Sequence, residues 1–185
     1  MKSMSDHGYT LLELMAVAAI MAIVATMGSP MLEQQLARRE VETIARRFIQ
    51  HAQFARQAAL FGVAGQSIQM IPREGDWNRG WDVMPREDLH QANVGHLTPL
   101  LLLSQGALDP VEIERRGSGF AGLPGEQKRL EYAPSGAAKT QSGGFVANRL
   151  IFRHSRIQGI ERHAILGSGG RWRLCYPRQD RQACR

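Results

Sequence analysis

The chain has 185 residues, a formal net charge of +6 and two cysteines. That length leaves room for one folded domain beside a membrane segment, and two cysteines with six scattered histidines exclude a cysteine-rich metal cluster. The charge is uneven: from Arg149 to Arg185 nine arginines stand against two acids, Glu161 and Asp180, a balance of +7 that leaves about −1 for everything before it. A basic end on a near-neutral body points to a polyanionic partner, or simply to solubility.

The chain opens with a short polar stretch, Met1 to Gly8, followed by Tyr9-Thr10-Leu11-Leu12-Glu13-Leu14. From Leu14 to Met27 there is no charged residue, and Tyr9 to Ser29 is long enough to cross a bilayer core as a helix. Glu13 is the one charge in that segment. An acid in lipid is costly, so such a residue is ordinarily functional and partnered. A secretory signal has a basic start and a small-residue cut site beyond its apolar core. Here the small residue, Gly8, precedes the core. A cut after Gly8 would retain the helix and create an amino terminus at Tyr9, four residues from Glu13.

Gly28-Ser29-Pro30 interrupts the apolar run, and proline at that point predicts a kink. Beyond it Leu32, Leu36, Ile44, Phe48, Ala52, Ala55 and Ala59 recur at helical spacing among charged residues, an amphipathic continuation ending near Gly62. The whole helix would be about 50 residues, roughly 75 Å at 1.5 Å per residue. No compact domain covers such a length, so half of it belongs in a membrane or a filament core. Strand patterns follow at Gln66–Ile71, Gly80–Met84, Leu97–Ser104, Val111–Arg115, Arg129–Ala133, Asn148–His154, His163–Leu166 and Arg171–Tyr176. Gly117 to Gln127 and Ser135 to Gly144 read as loops, and Gly167-Ser168-Gly169-Gly170 as a turn. The fold class expected is α+β, one long N-terminal helix packed on an antiparallel sheet.

The opening resembles the prepilin signature of type IV pilins and pseudopilins. Within them, the arginine-rich helix from Ala37 to Ala59, the Gly80-Trp81 strand start and the end Gly170-Arg171-Trp172-Arg173-Leu174-Cys175 resemble the GspH/FimT group of minor pseudopilins. That resemblance implies a leader peptide over residues 1–8 removed by prepilin peptidase and N-methylation of Tyr9. It further implies pairing of Glu13 with a neighbouring subunit's amino terminus and a helix kink at Pro30. The implied organisation is a transmembrane helix over 9–29 in the inner membrane, its amphipathic continuation over 30–61, and a periplasmic sheet domain over 62–185. Other major and minor pilins would be its partners. In such an exported domain Cys175 and Cys184 read as one disulfide closing a short loop.

No catalytic constellation emerges, and neither an enzyme activity nor a cofactor or metal is expected. Gly117-Ser118-Gly119-Phe120-Ala121-Gly122 matches a dinucleotide glycine pattern, but no strand precedes it and Pro124 follows where a helix should open. Glu74, Asp76 and Asp82 read as an ordinary polar turn. The stretch that carries function is Gly170-Arg171-Trp172-Arg173. In a strand, Arg171, Arg173 and Cys175 share one face, and Trp172, Leu174 and Tyr176 the buried one. Two guanidiniums about 7 Å apart approach the spacing of successive phosphates. Arg178 and Arg181 in the disulfide loop would extend the patch. The motif resembles the Gly-Arg-x-Arg signature with which FimT-type pilins bind double-stranded DNA during natural transformation. The competing expectation is a structural subunit without DNA binding: a GspH-like pseudopilin of a type II secretion system, or a pilus-priming minor pilin.

Overall fold

The computed structural model describes residues 10–62, 66–86, 100–116, 129–139, 148–167, 169–180, 182 and 184. The chain divides into two compact units, Met1–Ala37 and Arg38–Arg185, and one helix contributes to both. That helix, α1, spans Leu11–Phe61 and continues through Gly28-Ser29-Pro30. Its start is set by Thr10. The Thr10 carbonyl accepts from Glu13 N (3.1 Å) and Leu14 N (3.2 Å), and its Oγ1 accepts from Glu13 N at 3.3 Å. Thr10-x-x-Glu13 is the capping-box spacing, and an acid in the first turn also complements the helix dipole. At the other end Gly62 N bonds the Ala58 carbonyl at 2.8 Å, and a Cβ at Gly62 would lie 2.3 Å from that oxygen.

Among the described residues of the second unit, nine short strands form two antiparallel sheets. The five-stranded sheet runs β3-β2-β1-β5-β6. Its members are β1 Ile68–Pro72, β2 Trp81–Pro85, β3 Leu103–Gln105, β5 Leu130–Tyr132 and β6 Ala138–Lys139. The four-stranded sheet runs β4-β7-β8-β9: β4 Val111–Arg116, β7 Asn148–His154, β8 Glu161–Leu166 and β9 Trp172–Cys175. Two expectations need correction. The loop expected over Ser135–Gly144 contains β6, whose two residues pair with Glu131 and Tyr132. Of the strand expected over Leu97–Ser104, residues 97–99 lie outside the described residues, and among the described ones β3 begins at Leu103, paired with Val83. Residues 117–122, with the glycine pattern, lie outside the described residues.

The core gathers on one stripe of α1. Val41, Ala45, Phe48, Ala52, Ala55 and Ala59 are buried, at alternating spacings of four and three, the period of a helix face packed on one partner surface. Leu32 and Leu36, expected on this stripe, are exposed, and the buried positions begin at Ala37, four residues before Val41. Alanine at four of the six positions lets the sheets approach the helix backbone closely. Phe48 is the exception and the hub. Its ring meets Trp81 at 5.2 Å, Trp77 at 5.7 Å, Phe152 at 5.8 Å and Trp172 at 5.1 Å, three of the four edge-to-face, the geometry favoured by ring quadrupoles. One helical side chain therefore ties both sheets together. The buried indole of Trp81 donates to His51 Nδ1 (3.1 Å).

The β1–β2 connection is the polar turn expected. Asp76 accepts from Asn78 N at 3.0 Å, Arg73 forks onto Asp82 at 2.9–3.2 Å, and Arg79 pairs with Glu74. The three acids all take part in holding the turn.

Candidate nucleic-acid interface

The end of the chain builds the candidate site around β9. Gly170 enters the strand with φ +71, and a Cβ there would lie 2.5 Å from the Gly136 carbonyl oxygen and 3.1 Å from Ala138 N. The glycine of the Gly-Arg-x-Arg stretch is thus required twice over, by its backbone conformation and by the β6 backbone beneath it. Trp172 follows, 5% exposed, packed on Phe48 and donating from Nε1 to the Tyr132 hydroxyl at 2.8 Å. Burial drives the Tyr132 phenol pKa well above its ordinary value, so it stays a neutral hydroxyl. Register sets Trp172 opposite Leu166 and Arg173 opposite Ile165. With Trp172 turned into the core, Arg171 and Arg173 on either side of it are both exposed.

Cys175 departs from the expected pattern. It shares the strand face of Arg171 and Arg173 but is buried, because it is bonded to Cys184, which is itself buried. Arg149 Nη2 donates to the Cys184 carbonyl at 2.6 Å, fastening the loop against β7. His163 lies beside the two sulfurs. With those sulfurs bonded to each other, the group offers no thiolate to a metal.

The basic end is less exposed than its charge count implies. Arg153 pairs with Glu114, Arg156 with Asp109 (3.3 Å) and Arg162 with Glu42 (3.6 Å), so acids from α1, β4 and the loop before it cancel part of the +7. Arg178 follows the end of β9 and lines a cavity with Arg38 and Arg162. Arg181 lies outside the described residues, as do Gly8 and Tyr9.

In the first unit, the apolar side chains Leu11, Leu12, Leu14, Met15, Ile20, Met21, Ile23 and Val24 are all exposed. The stretch is long and apolar enough to cross a membrane. Glu13 is exposed among them, in the first helical turn, and Pro30 lies within the helix.

Residues 3–29 match the family of the prokaryotic N-terminal methylation motif. The structure is similar to two crystal structures of the type IV minor pilin FimU of Pseudomonas aeruginosa. One has a TM-score of 0.54 at 14% identity over 80% of this chain and 97% of FimU. The other has a TM-score of 0.52 at 13% identity over 78% of this chain and 99% of FimU. No curated protein sequence matches the chain. The chain has the fold of that minor pilin.

Within this fold, sequence reasoning missed a polar cluster that joins α1 to the four-stranded sheet. Glu42 accepts from Arg46 at 2.7 and 2.9 Å and from the Tyr176 hydroxyl at 3.1 Å, and Arg162 stacks on the Tyr176 ring at 4.7 Å. The Arg46 hydrogen bond, against the opposing effect of burial, holds the Glu42 carboxyl below its ordinary pKa. Glu42 and Arg46 stand at i and i+4 on the helix, a signal legible in the sequence. Their partners, 120 and more residues away, were not. A second such contact joins His154 Nε2 to Glu40 at 3.2 Å. His154 Nδ1 accepts from Arg156 N and Ile157 N, which puts the ring proton on Nε2 and makes it the donor to Glu40.

Proposed function

We propose that this protein is a minor pilin of the GspH/FimT type in a type IV pilus-like filament, and that it binds double-stranded DNA through Arg171 and Arg173. Prepilin peptidase cuts between Gly8 and Tyr9, and Tyr9 is N-methylated. The helix over 9–29 anchors the subunit in the inner membrane with its sheet domain in the periplasm, and Glu13 pairs with the amino terminus of a neighbouring pilin during assembly. The methylation motif over residues 3–29 and the fold shared with FimU, itself a type IV minor pilin, support the filament reading.

The observation that carries the DNA reading is the alternation about Trp172. One aromatic is locked into the core and turns two exposed arginines to the same side of the sheet. Arginine forks onto phosphate oxygens with its planar array of donors, and such contacts to a backbone are sequence-blind. Uptake of DNA in natural transformation is the role that fits a sequence-blind contact on a filament subunit.

The test is a titration of the detergent-solubilised full chain with a labelled duplex at several salt concentrations. Binding is expected in the range of non-specific contacts, about 1–100 μM. Each arginine–phosphate contact contributes about −0.9 to the slope of log affinity against log salt, so replacing Arg171 and Arg173 together with Ala should flatten it by nearly 2. A double variant that keeps its circular dichroism spectrum and binds like the wild type would reduce the motif to a strand of the fold. The structural pilin or pseudopilin reading would then stand in its place.

A further inference from the structure

We propose that the cavity lined by Arg38, Arg162 and Arg178 is a binding site for a compact phosphate-type oxyanion. The inference does not depend on the DNA reading, because neither Arg171 nor Arg173 lines the cavity. Its volume is about 220 Å³, and Gly159, Tyr176 and Gln179 also line it. That is below the roughly 300–1,000 Å³ of pockets for drug-sized ligands, so the occupant is small. No acid is among the lining residues. Three guanidiniums around one small space repel each other unless an anion joins them. Their fork geometry suits a tetrahedral group with several oxygens better than a carboxylate with two.

One of the three arginines, Arg162, is held in place. Arg162 lies over the Tyr176 ring at 4.7 Å, donates from Nη1 to the Glu161 carbonyl at 2.9 Å and reaches Glu42 with Nη2 at 3.6 Å. Arg178 lies across the β7–β8 turn. Gly159 in that turn has φ +76, and a Cβ there would come 2.1 Å from Arg178 Nη2. The turn therefore has a glycine where the guanidinium rests. Arg38, exposed on α1, closes the third side. Glu42, the neighbouring acid, is shared among Arg162, Arg46 and Tyr176, so it offsets only part of the positive charge that the three arginines bring to the cavity.

The test titrates inorganic phosphate into the full chain in a neutral detergent by calorimetry, with chloride at equal ionic strength as control. Binding of one phosphate per chain is expected. Arg38→Ala and Arg178→Ala, both at exposed positions that leave the core intact, should each weaken it by about tenfold, the size of a charged hydrogen bond. Gly159→Ala should weaken it through displacement of Arg178. The Arg171→Ala/Arg173→Ala double variant should bind phosphate within about twofold of wild type, since the pair shares no hydrogen bond with the ligand. Competition by a 5′-phosphorylated oligonucleotide, but not by the same strand without its 5′-phosphate, would identify a strand end as the source of the group. Competition by neither would leave the free anion as the ligand. Absence of phosphate binding above the chloride control, or unchanged binding in folded Arg38→Ala, would overturn the proposal.

Discussion

The two stretches of α1 bury their residues by opposite rules. Before Arg38, large apolar side chains stand open, Leu12 at 79% and Leu36 at 49% exposure. After it, small ones disappear, Ala45 and Ala52 at 0%. Hydrophobicity alone does not decide burial here. The first stretch has the greater apolar surface and nothing in its own unit to cover it, which water penalises at about 25 cal/mol per Å². Such a surface fits lipid or the apolar helices of neighbouring subunits. The second stretch has the smaller side chains because two sheets must come close to its backbone. One helix thus serves two environments, and the change falls where arginines begin to outnumber leucines.

The difference can be broken hardest at Glu13. If the first stretch serves assembly, Glu13→Ala should leave membrane insertion intact while filament incorporation is lost. Insertion could only gain, because an acid at mid-membrane costs about 2.5–3.5 kcal/mol. Fractionation of sheared filaments against membranes checks it, and wild-type incorporation would refute the pairing with an amino terminus.

The second stretch should respond in stability instead. Phe48→Ala removes the ring shared by Trp77, Trp81, Phe152 and Trp172, and should cost about 3–5 kcal/mol, as should Trp172→Ala. Leu12→Ala should leave domain unfolding unchanged. Denaturant titrations followed by tryptophan fluorescence measure all three. A Phe48→Ala variant within about 1 kcal/mol of wild type would mean that the site collapses around the loss. Replacing both cysteines with Ser should act less strongly, by about 2–3 kcal/mol for a loop of this size, in the same assay.

Much of this contrast was legible beforehand. The length of α1, the change of texture after Gly62 and the strands over 148–154 and 172–175 follow from periodicity, which is strong where one face is buried. The start of the buried stripe was not. Leu32 and Leu36 carry the same period as Phe48, yet both are exposed and the buried positions begin at Ala37. Within the candidate site, the turning of Trp172 to the core and of Arg171 and Arg173 to solvent could be read from alternation. Burial of Cys175 could not, because the disulfide loop covers its face. The Arg38–Arg162–Arg178 cavity joins residues from three separate segments, and no local pattern announces it.

The smallest effect expected is a dependence on pH. Burial, then the nearby Arg47 charge, lowers the His51 pKa from its ordinary 6.5, and its Nδ1 must stay unprotonated to accept from Trp81. The unfolded chain then binds the proton more readily, so stability is complete above about 6.5 and declines as pH falls below it. His51→Gln should remove that decline. Glu42, with its lowered pKa, adds a further loss only below its ordinary 4.5. Thermal unfolding between pH 7.5 and pH 4 resolves the two steps, and a wild type and His51→Gln with parallel profiles would contradict the first.

The reading of α1 as a filament helix with a retained apolar start is tested most directly by the mass of the mature chain. Intact-mass analysis of protein extracted from membranes should show loss of residues 1–8 and one added methyl group, with Tyr9 as the amino terminus. A mature terminus beyond Met27, or an uncut chain in cells with an active prepilin peptidase, would contradict it.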